Sequence, residues 1–92
     1  MNDALFEISN YEFKGKVLYI YGYQEYTGYH GYKMYKQGRL RFYWYYMKGR
    51  NQLYTWLKKQ KATEGAKTLG EALTSIIGTK IGVNQRFIEK LG

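Results

Sequence analysis

Cysteine and proline are absent from this 92-residue chain, and histidine occurs once, at His30. Without cysteine the protein has no disulfide, no thiolate nucleophile and no cysteine ligand for a metal. One loop histidine and seven scattered carboxylates offer neither a cluster of metal ligands nor a paired-carboxylate catalytic site. The phosphate-binding motifs G-x-x-x-x-G-K-[ST] and G-x-G-x-x-G are missing too. We therefore expect a protein that is not an enzyme and that uses no cofactor and no metal.

Long apolar runs are also missing. No stretch reaches the roughly 18 apolar residues that a membrane-spanning helix needs. The first residues, MNDALFEIS, lack the basic and apolar segments with which secretion signals begin. Apolar residues still make up 45% of the chain, which is enough for one modest core. These features predict a cytoplasmic protein without a membrane partner, folded as a single domain over residues 1–92.

Acidic residues are few and unevenly placed. The chain has 15 Lys and Arg against seven Asp and Glu, for a net charge of +8. No acid occurs between Glu25 and Glu64, whereas residues 31–61 contain nine basic residues. A block of this kind predicts a polyanionic partner, such as DNA, RNA or an acidic protein surface. A membrane surface fits less well, because the cations lie mostly on a strand-rich segment and not on an amphipathic helix.

Aromatic and β-branched residues dominate the first half of the chain, as is typical of strands. A turn at Gly15 and a second hairpin turn at Gln37-Gly38 are expected to separate these strands. The predicted strands cover residues 5–13, 16–23 and 39–47.

A helical period begins after Gly49. Leu53, Trp56 and Leu57 fall on one stripe of a predicted helix over residues 52–61, with Asn51 as its N-cap. Thr68 to Glu71 match the S/T-x-x-E capping box of a second helix. That helix has an apolar stripe at Leu69, Ala72, Leu73, Ile76 and Ile77.

The pattern therefore predicts an α+β fold. An antiparallel sheet of three to four strands is expected from residues 1–50. Two to three C-terminal helices from residues 51–92 then pack on one face of this sheet.

Alternation along the predicted strands gives the sheet two unlike faces. Leu18 and Ile20 are expected on the core face, as are four residues of the third strand, Leu40, Phe42, Trp44 and Tyr46. The other face combines tyrosines with Arg and Lys, and single-strand binders stack bases on aromatic rings and place cations against phosphates. The candidate nucleic-acid-binding residues are Tyr19, Tyr21, Tyr23, Lys33, Lys36, Arg39, Arg41, Tyr43, Tyr45, Lys48 and Arg50.

Other partners remain open at this point. Tyr, Trp and Arg are enriched in protein interfaces, so the tyrosine-rich face could join two copies of the chain as a homodimer. It could equally dock on another protein, as in a virus- or plasmid-borne inhibitor of a host nucleic-acid-handling complex. The sequence also does not decide between single-stranded and duplex nucleic acid.

The C-terminal residues 74–92 permit a helix-turn-helix. Gly78 could lie where two helices cross, with a turn around Gly82. The second helix would then be a recognition helix, with outward residues of types that contact bases or phosphates. These outward residues are Asn84, Gln85, Arg86 and Lys90. An ordinary packing hairpin of two helices fits the same pattern.

Overall fold

The computed structural model describes residues 3–91 and contains one five-stranded antiparallel sheet with strand order β4-β1-β2-β3-β5. The strands are β1 (Asp3–Lys14), β2 (Val17–Thr27), β3 (Lys33–Tyr43), β4 (Lys80–Asn84) and β5 (Glu89–Lys90). The helices are α1 (Met47–Lys59) and α2 (Leu69–Ser75). The predicted α+β class is confirmed, but the sheet has more strands than expected. Both helices lie mid-chain and not at the C-terminus.

The hairpin of β1 and β2 turns at Gly15, as the sequence predicts, where the backbone has a φ of 60°. A bulge at Ser9 interrupts the pairing, because Ile8 lies opposite Gly22 and Asn10 lies opposite Tyr21. The extra residue reverses the alternation of side chains along β1. Both halves of this long strand can therefore bury apolar side chains on the same face.

The predicted hairpin turn at Gln37-Gly38 is wrong, because β3 runs straight through these residues. Gly38 lies opposite Gly22 of β2 on one side and Lys90 of β5 on the other. A Cβ at Gly38 would lie 2.6 Å from Cγ2 of Ile88, so glycine serves a close approach here and not a turn. The chain reverses instead at residues 28–32, through a single 3-10 turn at Tyr29–Gly31.

Both helices pack on one face of the sheet, called here the inner face, and the opposite side is called the outer face. Leu18, Ile20 and Leu40 are buried on the inner face, as predicted. Leu53 and Leu57 of α1 are fully buried against them. The helix begins at Met47, earlier than expected, so Asn51 lies within it and is not its N-cap.

Thr68 caps α2 as predicted, but the Glu71 carboxylate reaches the amide one residue before the N-cap and not the amide of Thr68 itself. The Thr68 hydroxyl accepts a hydrogen bond from the Glu71 amide at 3.1 Å, and the Glu71 carboxylate accepts one from the Lys67 amide at 2.9 Å. Ala72, Leu73 and Ile76 are buried as the stripe predicts, whereas Ile77 is exposed.

The predicted C-terminal helix-turn-helix is wrong. After α2 the chain forms β4, which pairs with β1 at the edge of the sheet, and a single 3-10 turn at Gln85–Phe87 follows. β-branched Ile81 and Val83 alternate with exposed neighbours, which is the period of a strand. The expected recognition helix therefore does not exist, and Asn84, Gln85, Arg86 and Lys90 lie on strand ends and this turn. Among residues 3–91, no helix is long and apolar enough to cross a membrane.

Candidate functional site

The outer face carries a balanced charge, which the sequence did not indicate. Five basic and five acidic side chains lie on it by strand register, so its formal charge is zero. The basic ones are Lys14, Lys33, Arg39, Arg41 and Lys80, and the acidic ones are Asp3, Glu7, Glu12, Glu25 and Glu89. The chain has 15 basic and seven acidic residues in all, so ten basic and two acidic residues lie elsewhere. The net charge of +8 therefore belongs to the helical side and the turns.

Charge and aromatic rings are not spread evenly along the outer face. The end near the 28–32 turn holds three carboxylates and two lysines, and Lys33 pairs there with Glu25 at 3.4 Å. The opposite end, where β3 leads into α1, gathers tyrosines and cations that contact one another. We call this set the tyrosine–cation patch. Its members are Lys14, Lys16, Tyr19, Tyr21, Arg39, Arg41, Tyr43, Tyr45 and Tyr46.

Aromatic rings form two contacting groups within the patch. Tyr19 and Tyr21 of β2 have ring centroids 6.3 Å apart. Beyond the end of β3, the Tyr45 and Tyr46 rings lie 4.1 Å apart, and the Tyr43 ring lies 6.3 Å from Tyr45. A hydrogen bond shared with Tyr46 raises the pKa of the Tyr45 phenol and so further favours its neutral form. These rings can therefore receive a planar ligand without repelling an anion.

Cations lie over the rings of both groups. The Arg39 guanidinium is 4.3 Å from the centroid of the Tyr19 ring, and the Arg41 guanidinium is 5.2 Å from that of Tyr43. The Lys16 ammonium lies 5.6 Å from the Tyr45 ring. Such cation–π contacts hold the cations beside the rings, and a guanidinium group can itself stack on a planar ligand. Planar and anionic groups of a ligand would thus meet alternating rings and cations.

One carboxylate holds both arginines of the patch. Glu89 of β5 accepts a bond from Arg39 Nε at 2.7 Å on one oxygen and approaches Arg41 Nη2 at 3.1 Å with the other. The hydrogen bond to Glu89 raises the pKa of the Arg39 guanidinium and so stabilises its charged form. Glu89 both orients the two guanidinium groups and offsets part of their charge.

The structure places some of the predicted site residues in the tyrosine–cation patch and others outside it. Four of the five predicted tyrosines, Tyr19, Tyr21, Tyr43 and Tyr45, join Arg39 and Arg41 in the patch. Tyr23 shares the outer face but lies opposite Glu7, at the acidic end. Lys48 is exposed on the first turn of α1, beside the patch.

Three predicted phosphate contacts lie away from the patch. Lys33 is at the acidic end of the outer face. Lys36 faces the inner side, where its ammonium lies 4.7 Å from the Tyr26 ring. Arg50 is half-buried on α1, and its Nε has no hydrogen-bond partner among the described residues.

Sequence reasoning missed three members of the patch. Tyr46 was expected in the core by alternation, but the strand ends at Tyr43 and the Tyr46 side chain is 57% exposed. Lys14 and Lys16 flank the predicted turn at Gly15. Lys14 pairs with Val17 of β2, and Val17 pairs with Tyr43 of β3, so following the pairing across all three strands would have placed Lys14 in line with Tyr43. No local signal could have found Glu89, because its contact with Arg39 spans 50 residues.

Comparisons with protein-family models, with curated protein sequences and with solved structures give no match to this chain. Within residues 3–91, no group of three or more His, Cys, Asp or Glu side chains could hold a metal ion. The chemistry that the described residues offer is therefore stacking on exposed rings combined with charge-assisted hydrogen bonding to anions.

Proposed function

We propose that this protein binds single-stranded nucleic acid on the tyrosine–cation patch and catalyses no reaction. The observation that carries the proposal is the alternation of rings and guanidinium groups at one end of an open sheet face. Bases stack on tyrosine rings or guanidinium planes, and cations contact the phosphates between them. The outer face as a whole has no net charge, so this function depends on local contacts and not on a generally basic sheet.

A single strand suits the patch better than a duplex. Bases within a duplex are stacked on each other and present only their edges in the grooves, so rings on a sheet cannot reach their planes. An unpaired strand can turn its bases toward Tyr43, Tyr45 and Tyr46 while its phosphates meet Arg41 and Lys16. DNA and RNA both have the bases and phosphates that these residues would recognise.

Fluorescence anisotropy with labelled oligonucleotides tests this proposal. Single-stranded DNA, single-stranded RNA and duplex DNA of matched length are titrated with protein at about 50 and 200 mM salt. We expect one of the single strands to bind more tightly than the duplex at both salt concentrations. If binding of all three oligonucleotides disappears at the higher salt concentration, the protein attracts nucleic acid only by non-specific electrostatics, and the proposal is refuted. Tighter binding of the duplex would refute the stacking mechanism.

Protein–protein association is a second candidate, favoured by a separate surface. The end of the β2–β3 hairpin, called here the aromatic tip, exposes Tyr29, Tyr32, Met34 and Tyr35, with Tyr29 at 82% and Tyr32 at 69% exposure. Exposed apolar groups of this kind are typical of interfaces. If the tip joins two copies, sedimentation at high salt will give a dimer, and Tyr29→Ser with Tyr32→Ser will give a monomer. A monomeric wild type would exclude self-association through the tip.

A further inference from the structure

A shallow groove of about 690 Å³ runs along one flank of α1. Its floor is partly apolar, from Met47 and the half-buried Trp56, and its rim carries polar and basic side chains. All seven lining residues belong to α1, so the groove follows one face of this helix, beside the buried Leu53 and Leu57.

The groove continues directly from the tyrosine–cation patch. A second depression of about 500 Å³ is lined by Tyr43 and Tyr46 of the patch and also by Met47, Lys48 and Gln52, which line the groove. The two depressions share Met47, Lys48 and Gln52, so a chain lying on the outer face can pass over the end of β3 and onto α1.

The positive charge of α1 favours an anionic ligand in the groove. α1 contains four basic residues and no acid, and two of them, Lys48 and Lys59, line the groove. At 1.5 Å rise per residue, these two lysines are about 16 Å apart along the helix axis. Amide and hydroxyl groups of Gln52 and Thr55 lie between them. This spacing suits several successive phosphates of one strand better than a single small anion.

We propose that a single strand bound at the patch continues into this groove, with its phosphates against Lys48 and Lys59 and a base against Trp56. This inference rests on the proposed function and adds a second segment to the same binding site. It also gives a role to the net positive charge, most of which the structure places on the helical side.

Two lysines next to each other in sequence provide a matched test. Lys59 lines the groove, whereas Lys58 projects about 100° away around the helix and does not. The variants Lys59→Gln and Lys58→Gln therefore remove the same charge at nearly the same place. Each is titrated with single strands of about 5 and about 12 nucleotides, a short and a long length within the range of common site sizes. The salt dependence of the affinity is measured for each variant with each strand.

We expect the longer strand to bind more tightly and with a steeper salt dependence than the shorter one. Lys59→Gln should lower the log–log salt slope of the longer strand by about 0.7, the value for one phosphate contact on a single strand. The same variant should leave the shorter strand nearly unchanged. Lys58→Gln should change the salt slopes of both strands only slightly and by the same amount.

Three results would overturn the inference. If Lys58→Gln and Lys59→Gln have equal effects, the helix attracts nucleic acid only by its overall charge. If the short strand binds but the long strand binds no more tightly, the patch functions and the groove does not. If neither strand binds the wild-type protein, the proposed function fails and the groove fails with it.

Discussion

The carboxylate of Glu89 is the strongest obstacle to phosphate binding at the patch. It contacts Arg39 at 2.7 Å and Arg41 at 3.1 Å, so a phosphate can approach these guanidinium groups only from the side away from β5. The substitution Glu89→Gln keeps the size of the side chain and removes its charge. We expect this variant to bind single-stranded nucleic acid more tightly than the wild type.

The size of this effect follows from the geometry. A phosphate on the far side of either guanidinium would lie about 7 Å from the Glu89 carboxylate. Coulomb's law then gives a repulsion between about 0.6 kcal/mol in water and about 2.4 kcal/mol at an effective dielectric constant near 20. Its removal corresponds to an increase in affinity between about threefold and 60-fold.

The same substitution should cost little stability. The side chains of Arg39, Arg41 and Glu89 are between 28% and 42% exposed, and ion pairs at such sites contribute at most about 1 kcal/mol each. Loss of both pairs costs at most about 2 kcal/mol, which lowers the Tm of a domain this size by at most roughly 8–16 °C. Thermal unfolding of the variant checks that it is folded at the temperature of the binding assay.

Anisotropy titration at about 50 mM salt, where the Debye length exceeds the distance involved, measures the change in affinity. Glu64→Gln is the matched control, because Glu64 is an exposed carboxylate in the turn that follows α1 and its removal changes the net charge equally. An equal gain in both variants would show only a general charge effect. Unchanged or weaker binding by Glu89→Gln would refute the placement of phosphates on the two arginines.

Two further predictions concern the scaffold that positions the patch. Leu57→Ala should reduce the free energy of unfolding by about 2–5 kcal/mol, because removal of the fully buried Leu57 side chain leaves a cavity. Urea denaturation measures this loss, and a smaller value would mean that α1 is loosely packed. Gly38→Ala should destabilise the protein by about 1–3 kcal/mol, because the new methyl group would lie 2.6 Å from Ile88. The amide of Leu91, which bonds to Gln37 beside this site, should then exchange with deuterium faster than in the wild type, and equal exchange rates would contradict the close approach.

Periodic features of the sequence predicted the parts of the fold that depend on local pattern. Leu18, Ile20 and Leu40 occupy the expected face because side chains of a strand alternate, and one face must be buried. Thr68 caps α2 because its hydroxyl and Glu71 supply the hydrogen bonds that a helix start lacks. These signals lie within a few residues of the groups that they position.

Features that depend on distant partners could not be predicted from the sequence. Gln37-Gly38 reads as a turn, and only the approach of Ile88 explains why glycine is needed inside a strand. The short segment that became β4 resembles part of a helix until its pairing with β1 is known. The charge of the outer face likewise depended on strand order, which brings carboxylates from β1 and β5 beside tyrosines and arginines of β2 and β3.

The most direct test of stacking at the patch compares two tyrosines that are alike except for their neighbours. Tyr43 and Tyr23 lie on the same face with 40% and 39% of their surface exposed. Tyr43 has Arg41 beside it, whereas Tyr23 lies opposite Glu7.

We would measure the affinity of Tyr43→Ala and Tyr23→Ala for a single-stranded oligonucleotide, with thermal unfolding of each variant as the control for folding. Loss of one base stack costs about 1–3 kcal/mol, so Tyr43→Ala should bind about fivefold to 150-fold more weakly, and Tyr23→Ala should bind like the wild type. Equal affinities for the two variants, both folded, would contradict stacking at the tyrosine–cation patch.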